Sequence, residues 1–264
     1  MTVYDETSDA LLTQWLPFRA LTGAEPGALP LYCLPHAGGA ASAFRLWQGK
    51  LPGIAVQPVQ LPGRESRHRE PPYLRMEPLV SDLADAVLAD VAQSAAGHRY
   101  ALYGHSLGGL VAFELVREVR RRGGPEPVHL FVSGSDAPHV TYEDGPPVRG
   151  MSRKEVVGLL RDLGGTPEWL LADPGALEMI LPAVQADFTV KESYGYTPEP
   201  PLAVPISVLP SGSDPRVAPE KVAAWREQTA GAFALHPFDG GHFAVFEQAD
   251  RTRAIVAEAL RPWA

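Results

Sequence analysis

Short apolar runs that end in turn residues recur along the chain, with helical patterns between them. Leu31-Tyr32-Cys33-Leu34 runs into Pro35-His36-Ala37-Gly38-Gly39, and Ile54-Ala55-Val56-Gln57-Pro58-Val59 into Leu61-Pro62-Gly63. Tyr100-Ala101-Leu102-Tyr103 leads to Gly104-His105-Ser106, and Val128-His129-Leu130-Phe131-Val132 to Ser133-Gly134-Ser135-Asp136. Ile206-Ser207-Val208-Leu209 precedes Pro210-Ser211-Gly212-Ser213-Asp214, and Ala232-Phe233-Ala234-Leu235 leads to Phe238-Asp239-Gly240-Gly241-His242. Runs that are apolar throughout, rather than alternating, suit strands covered on both faces, as in a parallel sheet. Between Glu77 and Gln93, Leu79, Leu83, Val87 and Val91 recur every four residues, the stripe of a core-facing helix. Leu107 to Arg122 and Asp250 to Leu260 read the same way, with Asp250 as N-cap. This alternation predicts an α/β fold, a mainly parallel central sheet flanked by helices, in a single domain over residues 1–264. In such sheets functional groups gather beyond the carboxyl ends of the strands, and the turn sequences above are those ends.

One segment breaks the rhythm. About 70 residues separate Asp136 from Ile206, far more than a crossover needs. After Gly145-Pro146-Pro147 the pattern turns helical through Val156, Val157, Leu159, Leu160 and Leu163. It does so again from Leu177 to Tyr194 through Ile180, Leu181, Val184 and Phe188. These are either extra helices on the core or, as preferred, an inserted helical lid over residues 145–200 whose apolar face lines a substrate pocket.

Composition narrows the class. With 264 residues, 45% hydrophobic and 20% charged, the chain is globular and long enough to bury a core without staples. A single cysteine, Cys33, excludes a disulfide framework and reads as a small buried hydrophobe. The start, Met1 to Glu6, is acidic and lacks a signal peptide's basic and apolar regions, and no apolar run spans a bilayer. A cytoplasmic protein with no membrane partner is expected. The net charge of −8 opposes a nucleic-acid partner while leaving room for a local basic patch.

Gly104-His105-Ser106-Leu107-Gly108 matches G-x-S-x-G, the nucleophile elbow. The pentapeptide alone is weak, but here a strand ends at Tyr103 and a helix opens at Leu107, as the motif requires. A serine hydroxyl needs a base beside it, and the base an acid to orient it. In this fold the chain order is Ser, Asp or Glu, then His. His242 combines a late position, glycine neighbours and a strand-end loop, so it is the expected base. His36, His68, His98, His105, His129, His139 and His236 read as turn, surface or strand residues. For the acid, Ser-Gly-Ser-Asp occurs twice, ending at Asp136 and at Asp214. Asp214, after the last strand but one, is preferred, and Asp136 is the alternative. The expected oxyanion donors are the backbone N–H groups of Leu107 and of Ala37 in the early Gly-rich loop. Arg117, Arg120, Arg121 and Arg122 read as a solvated helix end that offsets the dipole, or as a docking patch.

The pattern is similar to the stand-alone type II thioesterases of polyketide and non-ribosomal peptide synthesis, within the α/β-hydrolase superfamily. The resemblance covers roughly Leu31 to Leu260. It is carried by Leu34 to Gly39, by Gln60-Leu61-Pro62-Gly63-Arg64-Glu65, by Tyr103 to Gly109, and by Asp239-Gly240-Gly241-His242-Phe243. Ala186-Asp187-Phe188 through Tyr194 resembles the family's cap. Leu107 stands where several relatives have Met, which leaves the backbone donor intact. The resemblance implies an α/β-hydrolase fold with the acid after the penultimate strand, which favours Asp214. Integrated terminal thioesterase domains more often use the earlier position, here Asp136. It further implies hydrolysis of acyl groups from the phosphopantetheine arm of acyl or peptidyl carrier proteins. The role would be removal of stalled or aberrant units by a Ser106–His242–Asp214 acyl-enzyme mechanism, with no cofactor or metal. Since carriers are commonly acidic, encounter would use basic groups, either Arg117 to Arg122 or Arg64, Arg67 and Arg69. A monomer is expected. The competing readings are a serine esterase, lipase or acyltransferase acting on free small molecules, and a binding module without turnover.

Overall fold

The computed structural model describes residues 6–19, 25, 27–140 and 147–264. The acidic start from Met1 to Asp5, and Gly145 and Pro146 at the expected beginning of the lid, lie outside the described residues. The first half of the chain runs α1 (Glu6–Trp15), β1 (Leu29–Leu34), β2 (Ile54–Pro58), α2 (Met76–Gln93), β3 (Ala101–His105), α3 (Leu107–Arg121) and β4 (His129–Ser133). After it come α4 (Arg153–Leu163), α5 (Glu168–Ala172), α6 (Pro174–Glu192), β5 (Ile206–Leu209), α7 (Pro219–Ala223), β6 (Phe233–Leu235), α8 (Ala244–Glu247) and α9 (Ala249–Leu260).

The strands form one sheet in the order β2-β1-β3-β4-β5-β6, and every neighbouring pair is parallel. All six residues of β1 are buried, as the unbroken apolar run requires. Alternate side chains serve opposite faces. Tyr32 and Leu34 join a core with Leu102, α2, α3 and Trp225. Leu31 and Cys33 join another with Tyr103, Phe131, Phe44, Trp47 and the Val256–Leu260 side of α9. Burial pushes the Cys33 thiol well above its ordinary pKa, which fits a packing role. The register pairs Leu34 with Gly104 and His105 with Ser133, so the loops after β1, β3 and β4 emerge together along one edge.

The long insertion between β4 and β5 is helical. Ser152 and Glu155 start α4 as a reciprocal capping box, with Ser152 N–H donating to Glu155 Oε2 at 2.7 Å. Asp173 caps α6 by accepting from Gly175 N–H at 2.8 Å and Ala176 N–H at 3.1 Å. The three helices share their own apolar cluster, built on Val156, Leu160, Leu171, Leu181, Val184 and Phe188.

Three expectations change. Asp250 is not an N-cap: α9 begins at Ala249, and Thr252 N–H already donates to Gln248 O at 3.1 Å. A short helix, α8, occupies the loop between His242 and α9. The helix α1 had no counterpart in the pattern; among its described side chains Leu12 and Trp15 are core positions, as is Leu16 just beyond it. No described helix is long and apolar enough to cross a membrane.

The turn after β3 depends on absent side chains. A Cβ on Gly104 would lie 2.2 Å from Gly108 O, and one on Gly108 would lie 2.2 Å from Leu34 O. Both contacts are with backbone, so neither is relieved by a rotamer change. Gly108→Ala is expected to cost about 3 kcal/mol in urea unfolding. Gly158→Ala in α4, where a new Cβ meets nothing within 4 Å, should instead gain about 0.5–1 kcal/mol. Equal effects at the two sites would refute the close-approach account.

Candidate active site

Ser106 is the hinge residue between β3 and α3. Its φ of 56° and ψ of −118° lie in a region that non-glycine residues rarely occupy. The strain is held from both sides: Ser106 N–H donates to Ser133 O at 2.8 Å, and Ser106 O accepts from Gly109 N–H at 2.9 Å. The side chain is thereby presented at the N-terminus of α3, where the helix dipole favours negative charge.

His242 lies in the loop after β6. Its Nδ1 meets Asp214 Oδ2 at 2.7 Å, with the Asp214 side chain fully buried. Asp214 Oδ1 accepts the N–H of Arg216 at 2.9 Å, so the carboxylate is oriented by its own turn. Of the two candidate acids it is Asp214 that meets the imidazole, while Asp136 lies buried beyond β4. An imidazole whose Nδ1–H is held by a carboxylate leaves Nε2 as the basic nitrogen. Ser106 and His242 line the same cavity, and no hydrogen bond joins them in this structure. Such contacts are often long without substrate.

That cavity, of about 480 Å³, lies between the strand ends and the inserted helices. Its floor carries His36, Ala37, Ser106 and His242, while Leu160, Leu163, Ile180, Val184 and Phe188 line it from α4 and α6. Leu107 is fully buried at the first position of α3. No backbone hydrogen bond from the Leu107 or Ala37 amide to another described residue is found. Ala37 lines the cavity, and Leu107 directly follows Ser106 at the start of α3. The groups can thus generate an alkoxide equivalent, hold an acyl chain against apolar walls and receive a developing oxyanion.

The sequence missed two things here. His36 and His105 are turn and strand residues as expected, and what the pattern did not show is that they crowd His242: the His105 and His242 ring centroids are 4.9 Å apart, and Phe243 stacks edge-on to His36 at 4.7 Å. Burial, then His242 and Arg64, push His36 down to about 4. Burial, then His242, His36 and Lys191, hold His105 well below 6.5. Their position beside two glycine-rich strand ends was the available signal. The second miss concerns the arginines. Arg117 is buried against Glu114 and Glu199; Arg120 pairs with Glu199 at 2.7 Å, and Arg122 with Glu118 at 2.7 Å and Asp85 at 2.6 Å. Arg121 pairs with Glu118, Glu114 and Glu199. The helix end is a charge-balanced cluster rather than a free basic patch. Arg64 and Arg67 are likewise buried in ion pairs, which leaves Arg69 as the exposed member of that group.

The parallel sheet, the strained serine turn and the late histidine with its carboxylate define a serine hydrolase of the α/β-hydrolase class. The thioesterase domain family model matches residues 29–263, and the chain belongs to that family, whose members hydrolyse thioesters. Among curated relatives, thioesterase PikA5 of Streptomyces venezuelae is 37% identical over 87% of this chain and 80% of its own length. Among solved structures, RedJ, a thioesterase from the prodiginine pathway of Streptomyces coelicolor, is 40% identical with a TM-score of 0.82, covering 90% of this chain and 94% of that one. The type II thioesterase BorB from the borrelidin cluster is 39% identical with a TM-score of 0.81 and the same coverage, 90% and 94%.

The buried histidines give a pH prediction. A neutral His36 with a folded pKa of about 4 binds fewer protons than the unfolded chain does below pH 6.5. Stability is therefore full above pH 6.5 and falls as the pH drops toward 4, by up to about 1.4 kcal/mol per pH unit. Urea unfolding at pH 7 and pH 5 should show the unmutated chain losing about 1–2 kcal/mol more than His36→Gln. Parallel losses would contradict the assignment.

Proposed function

We propose that this protein is a stand-alone thioesterase that removes acyl groups from the phosphopantetheine arm of carrier proteins in polyketide or non-ribosomal peptide synthesis. It clears aberrant or stalled units so that synthesis resumes. The observation that carries the reading is one cavity that joins a strained Ser106, a His242 oriented by Asp214, the Ala37 loop and a long apolar wall. Family membership and the likeness to BorB and RedJ support the carrier-bound substrate class.

In this mechanism Ser106 Oγ gives its proton to His242 Nε2 and attacks the thioester carbonyl carbon. Asp214 keeps the imidazole in the productive tautomer and stabilises the imidazolium. The carbonyl oxygen takes up the electron pair between the N–H groups of Leu107 and Ala37. As the carbonyl reforms, the C–S bond breaks and His242 returns the proton to sulfur. A thiol of pKa about 8.5 leaves readily, so this step asks little of the acid. Water, deprotonated by His242, then attacks the acyl-serine and releases the carboxylic acid. The chain acts as one domain, with α4 to α6 as the lid that encloses the acyl group.

Intact-mass measurement of an acyl-loaded carrier protein tests the proposal. The unmutated chain should remove the acyl mass, Ser106→Ala should leave it, and Asp214→Asn should slow its loss by about 10³–10⁴-fold. Persistence of the acyl group with cleavage of a small free ester would replace this reading with a general esterase.

A further inference from the structure

Asp187 is an acid on α6, 3% exposed, and it does no work in the mechanism above. Its partners are distant in sequence. Oδ2 accepts the N–H of Gly38 at 2.7 Å, and Oδ1 accepts Nη2 of Arg64 at 2.8 Å, with Arg64 Nη1 closing a second bond to Oδ2. The same guanidinium donates through Nη1 to Gly39 O and through Nε to Pro62 O, each at 3.2 Å. The loop after β1 is thus held from the lid at the Gly38 N–H and from the segment after β2 at the Gly39 carbonyl.

The Gly38 bond acts on one of the two peptide planes that flank Ala37, and the Gly39 bond holds the loop one residue further on. Gly39 N–H donates to His36 O at 2.8 Å, which fixes the plane that contains the Ala37 N–H. In a trans peptide the N–H points opposite to the carbonyl of the same plane, so the Ala37 N–H is turned away from that internal bond. The next plane carries the Gly38 N–H and is fixed by Asp187. One plane beside Ala37 is therefore set by the loop itself and the other by the lid. The fit leaves no slack: Gly38 has φ +75°, and a Cβ there would lie 2.4 Å from Val184 Cγ2 of α6. Val184 and Phe188, on either side of Asp187 in α6, line the cavity. An acyl chain that packs on them bears on the helix that carries Asp187.

We propose that Asp187, acting with Arg64 through the Gly38 N–H, is a positioning residue that sets the Ala37 N–H for the oxyanion and so ties the seating of the lid helix to turnover. The assignment rests on the oxyanion role given to Ala37 under the proposed function. A buried ion pair of this kind is weak evidence of a stabilising device, because its desolvation offsets its attraction. Its value lies in fixed bidentate geometry.

The test compares the unmutated chain with Asp187→Asn, and with Asp187→Asn/Arg64→Gln, which removes both charges together and keeps the pair from stranding a buried guanidinium. Turnover is measured on a short acyl-pantetheine. Binding is measured for an alkyl boronic acid, which forms a tetrahedral adduct on Ser106, and for an uncleavable thioether analogue. Both variants should lose about 10–100-fold in kcat with KM within about 2-fold. Boronate affinity should fall by a similar factor while thioether affinity holds. Thermal unfolding of each variant reports its folded fraction. The assignment is overturned if kcat per folded molecule is unchanged, if boronate and thioether affinities fall together, or if the double variant regains the unmutated kcat. Failure of the unmutated chain to cleave the thioester would instead overturn the function itself, and that result is read before any variant is made.

Discussion

Beneath Ser106 the backbones of β3, α3 and the β1 loop approach more closely than any side chain permits, and the chemistry depends on that contact. Gly104 faces the carbonyl of Gly108, and Gly108 faces that of Leu34. The proximity forces a sharp turn between strand and helix, which in turn forces Ser106 to positive φ. The cost of the strained conformer, on the order of 1–3 kcal/mol, is met by the sheet and helix on either side. In exchange the serine projects from the sheet edge at a helix N-terminus, and the residue after it presents an unbonded N–H. The same glycine contact brings the β1 loop, with Ala37, within reach of the same point.

The other polar groups reach that point because the sheet is parallel. With every pair running the same way, the loops after β1, β3, β4, β5 and β6 open along one edge. Ser106, Asp214 and His242 come from three of these loops, more than 100 residues apart at the extremes by their numbering. Desolvation then acts selectively. Burial lowers the pKa of His36 and of His105 beside His242, which favours their neutral forms in the water-poor space around that ring.

The sheet was legible because a strand buried on both faces is an unbroken apolar run, and each of the six runs is a strand in the structure. The glycine placements were legible for a related reason: the turn between strand and helix has no room for a Cβ at Gly104 or Gly108, and that requirement is local in sequence. Asp136 and Asp214 could not be separated in this way. Both end Ser-Gly-Ser-Asp, and only the fold decides which carboxylate meets an imidazole. Nor could charge pattern separate a docking patch from an ion-pair cluster. Arg117 and Glu199 are distant in sequence, and their contact exists only once the segment after α6 folds onto α3. Arg64 was misread for the same reason, since its partner Asp187 lies across the insertion. Asp250 failed as a cap because α8 delivers the chain directly into α9.

These long-range ion pairs share a location. Tyr194 OH donates to Glu114 Oε1 at 2.6 Å, and Arg120 Nη1 donates to Pro200 O at 2.9 Å, so the strand of chain that leaves the lid is tied to α3. Asp187 ties the middle of α6 to the loop after β1. The helix that follows Ser106 therefore also anchors the lid's return, and the lid's longest helix also anchors the Ala37 loop. Directional bonds fix these two attachments, whereas the lid's interior is held by apolar contact among Val156, Leu160, Leu171 and Leu181. Apolar packing tolerates repacking by a guest of similar chemistry far better than a bidentate ion pair tolerates displacement. The division of labour follows: the apolar interior of the lid can repack, while the polar anchors hold α6 and the lid's return against the sheet in one place.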